Sequence, residues 1–161
     1  MADDGEHAER VRRPRYQRHG ILARMPAISE RAESGTGARV LVVDDDEGLL
    51  EMYGELLREV SPPRLLSRAR NGKDALELLD WEPDLIVLDL FTPVMAGYEF
   101  PRRLRERSDG RRVPVLVVSG GNAVHIPHGG DVLLRKPFDV DRLTSAIEAM
   151  LAARATEPRP L

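Results

Sequence analysis

Three consecutive acids, Asp44, Asp45 and Asp46, follow directly on the apolar run at 40–43. Carboxylates this close repel one another and resist burial unless a cation shares their space. A further acid, Asp89, comes straight after the apolar "LIVL" of 85–88; a hydroxyl, Ser119, closes "VLVV" at 115–118; and Lys136, with Pro137 behind it, follows "VLLR" at 132–135. Gathered in one crevice, the carboxylates need a compensating cation, and a hard divalent ion with several waters, Mg2+, suits such an oxygen cluster. With the cluster neutralised, Asp89 can act as a nucleophile toward a phosphoryl group. The metal, Lys136 and the Ser119 hydroxyl would then draw charge from the phosphoryl oxygens.

Each of these residues also has a plainer reading. Asp44 or Asp46 could cap a following helix, Ser119 before Gly120 and Gly121 could be loop chemistry, and Lys136 taken alone would be a surface lysine. Asp89 is hardest to dismiss, because an acid after "LIVL" has no helix to cap and no immediate turn to form. For the site to vanish, all the plain readings must hold at once.

The elements that must position these residues alternate along the chain. "RVLVV" (39–43) reads as a strand, and "EGLLEMYGELLREV" (47–60) sets Leu49, Leu50, Tyr53, Leu56, Leu57 and Val60 on one helical face before Pro62 and Pro63 stop it. A weaker strand at 64–69 leads through "NG" to a helix holding Ala75, Leu76, Leu78 and Leu79. "DLIVLDL" (84–90) is apolar on successive residues, as a strand covered on both faces should be. A helix over 97–107 has Pro101 in its first turn, where the missing N–H does least harm. "PVLVVS" (114–119) and "VLLR" (132–135) are strands, and "DVDRLTSAIEAMLAA" (139–153) is the closing helix, with Asp139 as its N-cap. This order predicts an α/β domain: a doubly wound, five-stranded parallel sheet with helices on both faces. In such a sheet the crevice lies beyond the carboxyl ends of the strands, where the polar residues fall.

At 161 residues the chain has room for one domain with tails, and a composition of 42% hydrophobic and 32% charged residues is that of a globular protein. There is no cysteine, which excludes disulfides and thiolate metal sites, and the four scattered histidines leave oxygen as the better ligand. No apolar run approaches the length of a membrane span and no secretory signal opens the chain, so a cytoplasmic address is expected. A net charge of −3 gives no reason to expect nucleic acid as a partner. Residues 10–24 nonetheless carry six arginines and no acid, interrupted by Pro14 and Gly20. Residues 1–37 are therefore expected to form a disordered basic leader, with Met25 an alternative start of translation, and 154–161 a short tail.

The words "VLVVDDDE", "PDLIVLDLFTPVMAGYEF", "VPVLVVSGG" and "LLRKPFD" together resemble the receiver domain of bacterial two-component response regulators, over about 38–153. The resemblance implies the flavodoxin-like receiver fold. It makes Asp89 the phosphoacceptor and Asp44 and Asp45 holders of Mg2+, directly or through water, with the Phe91 backbone carbonyl completing the metal site. Ser119 takes the switch hydroxyl position, and Lys136, joined to Pro137 by a cis bond, contacts the phosphoryl group. The implied partners are a sensor histidine kinase or phosphotransfer protein and an unknown downstream protein target. No output domain is expected after the last helix, which reads as a stand-alone receiver, not an enzyme beyond its own phosphorylation and dephosphorylation.

The sequence departs from the family pattern in three places. Leu133 stands where an aromatic residue usually couples the hydroxyl to the distal face. The segment 120–131 is short and broken by Pro127, Gly129 and Gly130, so the fourth helix is expected to be reduced to a loop or single turn. Phe91 and Gly121 replace polar side chains that position attacking water, so slow loss of phosphate is expected. Two rival readings remain: a receiver-shaped adaptor that works without phosphorylation, and a haloacid-dehalogenase-like phosphatase with Asp44 as nucleophile in Asp44-x-Asp46.

Overall fold

The computed structural model describes residues 37–60, 64–95, 98–107, 112–120, 125–126 and 130–156. Within them the strands are β1 (Arg39–Val43), β2 (Leu65–Ala69), β3 (Leu85–Asp89), β4 (Val115–Ser119) and β5 (Val132–Arg135). The helices are α1 (Glu47–Glu59), α2 (Gly72–Glu77), α3 (Glu99–Arg107) and α4 (Val140–Thr156), with a 3-10 turn at Leu78–Trp81. The strands form one parallel sheet in the order β2-β1-β3-β4-β5. This is the expected doubly wound architecture.

Strand pleating sorts the apolar side chains into two layers. Val40, Val42, Leu85, Val87, Leu116, Val118 and Leu134 face one side and pack with Tyr53 and Leu57 of α1 and Leu143, Ile147 and Leu151 of α4. Leu41, Val43, Ile86, Leu88, Val115 and Val117 face the other, against Ala75 of α2 and Phe100 and Leu104 of α3. Every residue of β3 and β4 is buried, which explains their unbroken apolar runs. β2 is an edge strand and mostly half-buried, so its pattern is weaker. The end of the sheet away from the polar residues is tied by ions: Asp84 accepts from the Arg39 N–H at 2.9 Å, and Asp131 accepts from the Val115 N–H at 2.8 Å and from Arg105 at 3.0 Å.

Capping follows the residue chemistry. Asp46 is the N-cap of α1, its Oδ1 accepting from the backbone N–H of Gly48 at 2.9 Å and Leu49 at 3.2 Å. Asp139 caps α4 by accepting from the Arg142 N–H at 2.7 Å. We expect Asp46→Ala to lower stability by about 1 kcal/mol in chemical denaturation, because two donors at the helix start lose their partner.

Three boundaries differ from expectation. The helix foreseen through Leu79 is α-helical only to Glu77; a 3-10 turn then tightens into Glu82, whose left-handed backbone (φ 55°) donates to Leu79 O at 2.8 Å and turns the chain toward Pro83 and β3. α3 starts at Glu99, and α4 continues to Thr156, where the Thr156 hydroxyl donates to Ala153 O at 2.7 Å. No helix occurs between β4 and β5 among the described residues, and the expectation of a reduced fourth helix falls largely outside them. Most of that segment (121–124 and 127–129) lies outside the described residues, as do Gly121, nearly all of the expected leader and the tail beyond Thr156. No helix among the described residues is long and apolar enough to cross a membrane.

Candidate functional site

Register brings the polar residues together. β1 pairs with β3 at Val43↔Leu88, so the next residues, Asp44 and Asp89, emerge side by side; β3 pairs with β4 at Asp89↔Val118, which puts Ser119 one step further on. β5 then delivers Lys136 beyond Arg135, the partner of Ser119 in the ladder. The chain crosses from one face of the sheet to the other between β1 and β3, and the crevice opens at that switch point.

Carboxylate oxygens of Asp44, Asp45 and Asp89 lie within 4.8 Å of one another. The Lys136 Nζ sits 2.9 Å from Asp89 Oδ2 and 3.6 Å from Asp44 Oδ2, and the Lys136–Pro137 bond is cis. Asp89 Oδ1 accepts from the Phe91 N–H at 3.0 Å, and Asp44 Oδ1 from the Asp46 N–H at 2.9 Å. Asp44 therefore braces the turn into α1 without being its cap, and it is only 1% exposed. Among the described residues, two buried side-chain oxygens have no hydrogen-bond partner, Asp45 Oδ1 and Ser119 Oγ. Buried polar atoms are rarely left so, and each such orphan calls for an explanation. An all-oxygen donor set with an unsatisfied carboxylate oxygen fits a hard divalent cation, so this cluster could hold a metal. The unsatisfied Ser119 hydroxyl at the next strand end fits an incoming anion.

Charge balance in the pocket is uneven. Burial pushes the Asp44 carboxyl from 3.8 up to about 6; the Asp46 N–H and Lys136 pull it down, while Asp89 and Asp45 push it further up. Burial opposes the Lys136 ammonium, but its hydrogen bond to Asp89 and the charges of Asp44 and Asp89 outweigh that and leave its pKa above 10.5. An acid whose pKa rises on folding makes the metal-free fold less stable as pH climbs from its ordinary value to the raised one. Above about pH 6 the full cost, on the order of 3 kcal/mol, is present. A cation among the carboxylates removes that cost. We therefore expect Mg2+ to raise the thermal midpoint by several degrees near pH 7.5 and by much less near pH 5, where Asp44 keeps its proton. The gain should largely disappear in Asp45→Ala; a midpoint indifferent to Mg2+ near pH 7.5 contradicts the reading.

The pocket opens into a cleft of about 450 Å³ lined by Asp45, Leu90, Phe91, Thr92, Pro93 and Tyr98. Phe91 is 53% exposed, so its side chain forms part of the cleft mouth and its backbone runs beside Asp89. Sequence reasoning overlooked Thr92 and Tyr98. Thr92 is buried and its hydroxyl donates to Met95 O at 3.3 Å, pinning the loop that carries Phe91. Its signal was faint, since one threonine in a loop is ordinary. Leu133 lies half-buried against the core layer of α2 and α3.

Comparison with known proteins agrees with this geometry. The family model for the response regulator receiver domain matches residues 40–148. The polar-differentiation response regulator DivK of Brucella anthropi is 31% identical over 118 residues, covering 70% of this chain and 94% of DivK. The response regulator MprA of Mycolicibacterium vanbaalenii is 35% identical over 127 residues, covering 74% of this chain and 52% of MprA. The chain thus spans about half the length of several curated relatives that it matches, MprA among them. Among solved structures, the receiver domain of a signal transduction histidine kinase from Syntrophus aciditrophicus superposes with a TM-score of 0.65 at 27% identity, covering 78% of this chain and 98% of that one. Parallel sheet, acidic crevice and family match agree, and the chain belongs to the response regulator receiver domain family of two-component signalling.

Proposed function

We propose that this receiver is a phosphoacceptor switch in which Asp89 takes a phosphoryl group from a histidine kinase or phosphotransfer protein and signals through a protein partner. The observation that carries the reading is the placement of Asp89, whose one oxygen meets Lys136 at 2.9 Å while its carboxylate shares a site with Asp44 and Asp45. In the transfer, a carboxylate oxygen of Asp89 bonds to phosphorus as the phosphorus–nitrogen bond of the donor phosphohistidine breaks. The electron pair leaves on the imidazole nitrogen, which then takes up a proton. Mg2+ held by Asp44, Asp45 and Asp89 with the Phe91 carbonyl would offset charge on the carboxylates and phosphoryl oxygens.

The chain's own residues do the rest. The Phe91 N–H and Lys136 fix both oxygens of Asp89, so little reorientation is needed on attack. Lys136 can then follow charge from the carboxylate to the phosphoryl oxygens, and the unpartnered Ser119 hydroxyl has a hydrogen bond to donate to them. Burial of Asp44 against the start of α1 couples the pocket's charge to the backbone of that helix. Incubating the full chain with Mg2+ and acetyl phosphate, read by intact mass, should show a gain of one phosphoryl group. An unmodified mass, with a cognate kinase also failing, favours the phosphorylation-independent adaptor.

A further inference from the structure

We infer that Met95, seated against Gly72 at the start of α2, is a positioning residue for the phosphoacceptor site: through the strained turn at Val94 it sets the Phe91 peptide beside Asp89. The inference rests on the phosphoacceptor reading above and adds to it which residues outside the pocket hold the acceptor's backbone partner in place.

The Phe91 N–H donates to Asp89 Oδ1 at 3.0 Å, and its carbonyl is the one proposed above as a metal ligand. The Phe91 side chain is exposed and gives its own backbone little hold, so the peptide is fixed by its neighbours. On one side the Leu90 N–H donates to Val118 O at 3.1 Å, which ties the loop to β4. On the other, the buried Thr92 hydroxyl donates to Met95 O at 3.3 Å and the Met95 N–H donates to Pro93 O at 2.8 Å. That last bond spans a single residue, Val94, whose φ of 71° lies in the left-handed region. A β-branched residue adopts such a turn only at a cost, and at 79% exposure the Val94 side chain recovers little of it by burial. The turn must be held from elsewhere, and Met95 does so. Its side chain is buried in the core layer of α2 and α3, in space that exists because position 72 has no side chain. A Cβ there would lie 2.9 Å from Met95 Sδ, 3.1 Å from Met95 Cγ and 3.0 Å from Phe100 Cβ, all closer than ordinary van der Waals contact. Core packing thus sustains the strained turn, and the turn keeps the Phe91 peptide in place on the acceptor before transfer begins.

The test uses the full chain and two readouts: the initial rate of phosphoryl gain from acetyl phosphate at saturating Mg2+, and the Mg2+ concentration that half-saturates the rise in thermal midpoint. Met95→Ala should slow the gain about tenfold and raise the half-saturating Mg2+ concentration about tenfold. Leu104→Ala, which empties the same core layer from α3, should lower the midpoint comparably and leave both readouts within about twofold of wild type at temperatures where it is folded. Val94→Pro removes no buried group, but proline cannot take a positive φ; it should show the same two losses, and it carries the test where Met95→Ala does not fold. Gly72→Ala should slow the gain several-fold alone and have much less effect on top of Met95→Ala, because the crowded contact is gone. Losses in Leu104→Ala as large as those in Met95→Ala overturn the inference, as do Met95→Ala and Val94→Pro that both match a phosphorylated wild type, and either result leaves the acceptor reading standing. A wild-type chain that gains no phosphate from acetyl phosphate or a cognate kinase removes the acceptor reading and the inference with it.

Discussion

Asp89→Asn is expected to abolish the phosphoryl gain that wild-type chain acquires from acetyl phosphate and Mg2+. Asparagine keeps the size of the side chain and an oxygen, but an amide oxygen is a poor nucleophile and carries no charge for a metal. The fold should survive. Asp89 is one of three clustered carboxylates, so its neutralisation relieves repulsion even as it removes a hydrogen-bonded partner of Lys136. Thermal midpoints of variant and wild type should therefore differ by only a few degrees, which separates loss of chemistry from loss of structure. Modification persisting undiminished in Asp89→Asn would place the acceptor elsewhere.

Lys136→Met should have the second largest effect, through a different part of the machinery. The three clustered carboxylates stay intact, so the proposed acceptor remains, but the phosphoryl oxygens would lose a preorganised cation in a partly buried site. The initial rate of phosphoryl gain should fall by about 10²- to 10³-fold. Stability changes as well. Without metal, Asp44 and Asp89, with side chains 2% and 8% exposed, lose their counter-charge, at a cost of about 3 kcal/mol. Saturating Mg2+ should recover most of that loss in denaturant titrations near neutral pH. A rate within twofold of wild type would show that Lys136 only balances charge in the resting protein.

How much of this could be read from residues alone depended on how local the cause was. β3 and β4 declared themselves because both faces of each are buried, which forces apolar residues at consecutive positions. Asp46 and Asp139 were legible as caps because capping chemistry acts within three residues. The break of α2 at Glu77 was not, since Leu76, Leu78 and Leu79 continue a helical spacing while the turn at Glu82 and the approach to β3 are set by tertiary packing. The site divides in the same way. Asp44, Asp89, Ser119 and Lys136 stand at strand ends, so an alternating α/β order with parallel pairing sufficed to predict their meeting, even across the 47 positions that separate Asp89 from Lys136. The Thr92 contact carries no such mark, because a loop threonine is common anywhere in a sequence.

The identity of the modified side chain tests the electrostatic core of the account most directly. Wild-type chain treated with Mg2+ and acetyl phosphate would be reduced with borohydride, which converts an acyl phosphate to an alcohol with release of phosphate, and then mapped by peptide mass spectrometry. The expected result is homoserine at position 89, formed with Mg2+ and missing when the metal is chelated. Homoserine at position 44 or 45, or at 89 to the same extent without a divalent ion, would contradict it.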